Sequence, residues 1–328
     1  MRKATRRAFL STLGHVSGLT LVGAASPALL AAQALPATLP EVVRPAGIGS
    51  TRTLEILPLV EWATARPDLI GEAGVSYLVR TDGSTILFDV GGNLKGTEPS
   101  PLEANMQRLG VRLEEIDTIV ISHLHMDHVG GMQFSSRGSF SLGLRQVDLG
   151  PRKVVVPVPM NYPGLEPVVA RQPTILAPGV VTLGPITGRI ALGPVDEQAL
   201  AIRVQDRGVV LVVGCGHQGL DKLLARTAQL FDEPLYGVIG GLHYPVPRGR
   251  MLSGGQDLQR WATYGTGPGP TAEDVQREID ALAARRPQWV ALSPHDSSDE
   301  MIEAFRRSFG ARYHDLRVGE AQVIAPRS

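Results

Sequence analysis

The sequence predicts an α/β protein made of two β-sheets with helices on their outer faces. Three observations carry this. Strand candidates dominate the first part of the chain and βα units the second, which suits layered sheets. Histidines recur at the ends of short apolar runs, and two sheets with helices outside would place those strand ends together at one edge. The 37 glycines and 25 prolines call for many turns, which favours strands joined by loops over a helical bundle.

Size and composition bound the reading. A chain of 328 residues holds one large domain or two small ones. Hydrophobic content of 43% with 20% charged residues fits an ordinary soluble globular protein. A formal net charge of zero gives no global field to attract nucleic acid or an acidic membrane, so neither is an expected partner. Cys215 is the single cysteine, so any internal staple has to be a metal and not a disulfide.

Residues 1–35 read as an address. Arg6 and Arg7 directly precede an uncharged run, residues 9–32, rich in Leu, Ala and Gly, with small-residue cleavage candidates near Ala31, Ala32 and Ala34. This is the pattern of a twin-arginine signal, so the expected export partner is the twin-arginine translocase and the expected location is periplasmic or secreted. Gly14, Gly18, Gly23 and Pro27 interrupt the run, which argues against stable membrane insertion after cleavage. Residues 36–50 read as a linker and 51–328 as the catalytic domain, with no clean boundary inside it.

Within that domain, residues 53–57, 75–79 and 85–90 are strand candidates, the last two joined by the turn Thr81, Asp82, Gly83, Ser84. Leu102, Met106 and Leu109 give 101–109 helical spacing. Residues 117–122 form a continuous apolar run, read as a buried strand. From 134 to 193 the pattern is irregular, with short strands at 154–156 and 180–183; long loops of this kind are where substrate selection tends to reside. Strands follow at 199–204, 208–213, 235–239, 289–293 and 317–324, and helices at 220–231, 271–285 and 299–309.

The chemistry concentrates after the 117–122 strand. His123, His125 and His128 fall within six residues, and Asp127 adds an anionic oxygen; imidazole and carboxylate suit zinc and similar metals. His123 and His125, two apart in extended backbone, point the same way and can share one metal. Asp127 and His128 come where the chain turns into Gly130 and Gly131 and can face a second metal. His295, after the 289–293 strand, is a further ligand candidate. His217 and Cys215 both follow the 208–213 strand and compete to supply a further ligand: His217 is the expected one, and Cys215, as a soft thiolate, is the competitor. His243 closes another apolar strand and can be a ligand, a proton donor or a substrate contact. His314 reads as surface.

The segment Ser122-His123-Leu124-His125-Met126-Asp127-His128-Val129-Gly130-Gly131 resembles the signature of the metallo-β-lactamase superfamily. Glu72 to Ser76, Leu87 to Asp89, Asp196 to Leu200, Gly214 to His217 and Gly240 to His243 are similar to the metal-dependent hydrolase subgroup related to dihydropterin ribofuranosylaminobenzene phosphate synthase. The resemblance implies an αββα sandwich with two metals at the sheet edge. The expected cofactors are two divalent transition metals, zinc first, with iron or manganese as alternatives. Two departures stand out. Asp296 occupies the place of a cysteine that follows His295 in the subgroup. No histidine lies between His128 and His217, where many members carry one; Asp196 or Glu197 falls there instead. Asp196, Asp296 and Cys215 are therefore candidates for ligand or supporting roles. Cys215 stands where most members place a bridging aspartate.

The expected activity is hydrolysis of a small ester, lactone or phosphoester, with water activated between two metals and Asp127 and His243 as catalytic residues. The alternatives are a synthase or transferase acting on a phosphorylated pterin-like compound, an iron redox enzyme, and a binding protein without catalysis.

Overall fold

Alternating apolar positions build each sheet. In the strand Leu54–Val60, Leu54 and Ile56 face one side and Leu57 and Leu59 the other, and both sides are buried. In Gly208–Val213, Val210 and Val212 point to one core while Val209, Leu211 and Val213 point to another. Burial on both faces is why these strands read as continuous apolar runs. The structure, a computed structural model, describes residues 39–326. The signal-type segment and the first three linker residues lie outside the described residues.

Seven strands form the first sheet, in the order Gln322–Ile324, Leu54–Val60, Ser76–Thr81, Thr85–Phe88, Thr118–Val120, Lys153–Val156, Val168–Val169. Six form the second: Trp289–Leu292, Leu235–Gly240, Gly208–Val213, Leu200–Val204, Val180–Thr182, Thr174–Ala177. The core between the sheets holds Ile56, Tyr77 and Phe88 from the first and Leu200, Val212 and Ile239 from the second. Outside the second sheet pack the helices Leu220–Leu230, Ala272–Ala284 and Asp299–Phe309, through Leu223, Ile279 and Phe305. Outside the first packs Pro101–Leu109, through Leu102 and Met106. This is the expected αββα sandwich.

Helix boundaries follow local chemistry. Ser100 and Glu103 form a reciprocal capping box ahead of Pro101, and Gly110 ends that helix in left-handed backbone (φ 69°). Thr271 and Asp274 do the same for Ala272–Ala284.

Three differences from the sequence reading have simple causes. The last strand is shorter than expected, because Val318 bonds Ala63 and Ala65 and Gly319 turns the chain before Gln322. The linker's end is packed and not free: Ile48 lies in the core outside the second sheet, and Thr51 bridges Val204. A hairpin, Ile186–Ile190 with Gly193–Glu197, and a short helix, Leu258–Tyr264, were not expected. A helix of seven residues is too short to show a period.

The site follows from topology. Thr85–Phe88, Thr118–Val120 and Lys153–Val156 run parallel in one sheet, and Gly208–Val213, Leu235–Gly240 and Trp289–Leu292 in the other. Loops leaving the carboxyl ends of parallel strands are where open α/β sheets place their ligands. Asp89, Ser122, Cys215, Gly241 and Ser293 are the first or second residues after five of these strands.

Candidate metal centre

After Thr118–Val120 the chain turns tightly: His128 N donates to His125 O, and Gly131 N to Met126 O. That turn gathers the local histidines. His123 Nε2 lies 3.0 Å from His125 Nδ1, and His217 Nε2 lies 3.1 Å from the same nitrogen. On the other side, His128 Nε2 is 3.0 Å and His295 Nε2 3.3 Å from Cys215 Sγ. Asp127 Oδ2 is 3.7 Å from His128 Nε2.

Three overlapping groups result, each with donor atoms within 4.8 Å of one another: Asp127, His128, Cys215 and His295; His123, Cys215 and His217; Cys215, His243 and Asp296. Cys215 is common to all three. Sequence spacing alone framed Cys215 and His217 as competitors, but the fold puts both in one group. Asp196, in contrast, is not brought to the site. It is exposed on the hairpin and accepts a hydrogen bond from Thr187 Oγ1 at 2.5 Å. Its neighbour Glu197 is buried, because successive residues of a strand face opposite ways.

Glu197 shapes the loop that carries Cys215. Its Oε1 accepts from Cys215 N and Gly216 N, both at 2.9 Å, and its Oε2 accepts from His217 N at 2.8 Å. Leaving such buried donors unpaired costs about 1–3 kcal/mol each. Glu197→Ala is therefore expected to destabilise the protein by roughly 3 kcal/mol or more. Urea titration reads this, and a loss under about 1 kcal/mol would remove Glu197 from this role.

Asp89 orients two of the histidines. It sits in left-handed backbone (φ 62°), fully buried, after Thr85–Phe88. Its Oδ2 accepts from His128 Nδ1 and from Ser122 Oγ, both at 2.7 Å, and Ser122 N donates to Oδ1 at 2.6 Å. Ser122 Oγ, its proton given to Asp89, accepts from His123 Nδ1 at 2.9 Å. Both rings thus carry a proton on Nδ1 and turn Nε2 toward the cluster.

His243 is held differently. Its backbone lies in the left-handed region (φ 56°), and its N–H donates to Asp296 Oδ2 at 3.0 Å. Thr263 Oγ1, on the unexpected short helix, gives its proton to Gln259 O and so accepts from His243 Nε2 at 2.6 Å. The other ring nitrogen, Nδ1, is buried and has no hydrogen-bond partner. It is 4.0 Å from Asp296 Oδ2.

Electrostatics suit ligation. Burial, reinforced by the neighbouring imidazoles, holds His123, His217 and His295 well below the usual histidine range, so their lone pairs are free at neutral pH. Burial also lowers His125, and takes His243 down to about 4. Burial pulls on His128 too, but the Asp89 and Asp127 carboxylates outweigh it and raise it to about 9. For Asp127, burial pushes up but the imidazoles, His128 first, hold it below the usual carboxylate range. Burial and the surrounding carboxylates push the Cys215 thiol well up, and burial does the same to the Asp296 carboxyl.

This donor set fits a metal. Tetrahedral zinc with nitrogens at 2.0–2.1 Å spaces them about 3.3 Å apart, close to the separations found here. His123, His125, His217 and Cys215 would hold one ion, and Asp127, His128, His295 and Cys215 a second.

The fold and this cluster define a metal-binding protein of αββα architecture. Residues 69–139 match the family pattern described as the metallo-beta-lactamase superfamily. It is similar to a 7,8-dihydropterin-6-methyl-4-(beta-D-ribofuranosyl)-aminobenzene-5'-phosphate synthase of Methanocaldococcus jannaschii, 26% identical over 245 residues, covering 60% of this chain and 79% of that one. An anti-Pycsar protein Apyc1 of Saccharibacillus brassicae is 34% identical over 85 residues, 26% of this chain and 32% of that one. Among solved structures, a metal-dependent hydrolase of the beta-lactamase superfamily shares the fold, with a TM-score of 0.58, 20% identity, and 83% of this chain and 99% of that one covered.

Two supporting residues carried no signal in the sequence reading. Thr263 sits between the expected strand 235–239 and the expected helix 271–285, where no element was expected. Glu61 follows Leu54–Val60 and is fully buried, which raises its carboxyl to about 7 against the donors that surround it. A charged residue continuing an apolar strand is the one hint that could have found it.

Proposed function

We propose that this protein is an exported, binuclear metal-dependent hydrolase of a small ester, lactone or phosphoester. One observation carries the reading: five imidazoles, a thiol and the Asp127 carboxylate converge at the sheet edge, with Cys215 common to all three donor groups. Zinc is the first choice of ion, given nitrogen and sulfur donors. When bound, such ions supply an activated water and stabilise the oxygen on which charge develops.

The chain's own residues do the rest. Asp127, anionic and partly exposed, orients the nucleophilic water's proton. His243, held through Nε2 by Thr263 and with its buried Nδ1 unpaired, lies at the same edge, as the substrate contact or proton-handling group. The export part of the reading rests on the Arg6 and Arg7 pair ahead of its apolar run.

The second reading is a synthase on a phosphorylated pterin-like compound, favoured by the similarity to the M. jannaschii synthase. A phosphate clamp near His243 would support it, but Arg250 is committed to Asp299 Oδ1 at 2.7 Å and Ser297 O at 2.9 Å, and Arg248 is exposed. The test is a preparation of known metal content assayed against lactones, phosphodiesters, phosphomonoesters and β-lactams. Turnover of one class that disappears on chelation is the expected result. A metal-loaded protein inert to all four would sink the hydrolase reading.

A further inference from the structure

Glu61 and Ser293 lie 232 positions apart in sequence and in different sheets, yet they touch beneath the site. Ser293 follows Trp289–Leu292, and its Oγ donates to Glu61 Oε2. Glu61 also accepts from Tyr77 OH at 2.8 Å and from Trp62 N at 2.8 Å. All three partners are donors, so the ionised carboxylate, the form present above about pH 7, acts purely as acceptor and takes the single hydroxyl proton of Ser293. Ser293 Oγ, with that proton given away, must accept from its other neighbour, His295 Nδ1, at 2.6 Å. The proton of His295 is thereby fixed on Nδ1, and Nε2 is left bare, 3.3 Å from Cys215 Sγ.

The same arrangement occurs on the opposite side of the cluster, where Asp89 takes the proton of Ser122 and Ser122 accepts from His123. Two unrelated stretches of chain have thus built one device: a buried carboxylate, a bridging hydroxyl and an imidazole whose outer nitrogen turns into the donor cluster, toward His125 in one copy and Cys215 in the other. In the first-sheet copy the carboxylate reaches a second ring, His128, directly. In the second copy Glu61 has no other imidazole to hold, so its contacts are explained by Ser293, Tyr77 and its own turn.

We propose that Glu61, acting through Ser293, is the positioning pair that holds His295 in its metal-binding tautomer and orientation. This rests on the metal-centre reading given above. It also assigns Glu61 a task that packing alone does not give it: tying the end of Leu54–Val60 to the end of Trp289–Leu292, so that the two halves of the donor set keep their spacing. Partners that orient a ligating histidine are generally worth 10–100-fold in metal affinity.

The experiment uses the full chain with Ser293→Ala, Ser293→Thr and Glu61→Gln, and has two readouts. Side-chain nitrogen NMR of the metal-free protein reports the tautomer of His295. Chelator competition with Zn²⁺ reports the affinity of each equivalent. In Ser293→Ala, His295 should lose its fixed Nδ1–H form, and one zinc equivalent should weaken by about 10–100-fold. Ser293→Thr, which keeps the hydroxyl, should restore both. Glu61→Gln, which keeps the shape, should weaken the same equivalent, and it carries the test if Ser293→Ala does not fold. An unchanged His295 tautomer, or zinc affinities within about twofold of the parent in the variants that fold, overturns the proposal. Failure of the parent protein to bind zinc would instead sink the metal-centre reading, and the tautomer measurement would still judge the relay.

Discussion

Stripping the metal with a chelator is expected to abolish turnover and lower the melting temperature by roughly 10 °C or more. An ion present at about a thousand times its dissociation constant stabilises the folded state by about 4 kcal/mol per site. The effect should be large here because the donor atoms otherwise have mainly one another as partners. His123 Nε2 and His217 Nε2 both lie against His125 Nδ1, which carries at most one proton, so at most one of these contacts is an ordinary hydrogen bond. Binding also has a definite pH sign. Burial keeps Cys215 as a thiol, and Asp89 and Asp127 keep His128 protonated up to about pH 9. Ligation has to displace those protons, so they compete with the metal below about pH 9, and affinity should rise as pH rises toward that value. Titration calorimetry in buffers of different ionisation enthalpy measures the released protons. A metal-free protein that melts at the same temperature and keeps full activity would contradict the central claim, as would a pH-independent affinity.

Replacing the shared sulfur should do more damage than replacing any single imidazole. Cys215 belongs to all three donor groups, whereas His217 belongs to one. Cys215→Ala is expected to weaken both metal equivalents, and His217→Ala to remove about one. Loaded with cobalt, the parent and the His217→Ala protein should show a thiolate charge-transfer absorption, because the ligating sulfur is deprotonated. His295→Ala provides the mirror experiment, losing the other equivalent while His123 and His217 keep theirs. Full metal content in Cys215→Ala, or no charge-transfer band in the parent, would show that Cys215 is a buried thiol beside the centre and that the histidines suffice. Activity should follow metal content in each case. Asp127→Ala should also cut turnover by about 10²–10⁴-fold, the usual worth of a positioned proton-handling group.

What could be read from the sequence is what local spacing controls. His123, His125, Asp127 and His128 lie within one strand end and one turn, so their convergence needs no knowledge of the rest of the fold. The layered architecture was legible too, because a strand buried on both faces leaves a continuous apolar run and a capped helix leaves its Ser, Thr, Glu and Asp signals. His295 and His217 could be proposed from their places after apolar strands.

Tertiary structure decided the choices that depend on side-chain direction and on contacts across the two sheets. Asp196 and Glu197 are adjacent and equally acidic, but one residue of strand alternation sends the first to solvent and the second beneath the Cys215 loop. Thr263 and Glu61 gave no such signal, since each acts through a neighbour that sequence distance conceals: His243 from a short helix, His295 from the other sheet. Cys215 became the shared donor only when the carboxyl ends of strands from both sheets met over its sulfur. Residue types and periods fix which groups can ligate and which faces are buried, whereas long-range packing alone fixes which of those groups come within 3–4 Å of one another.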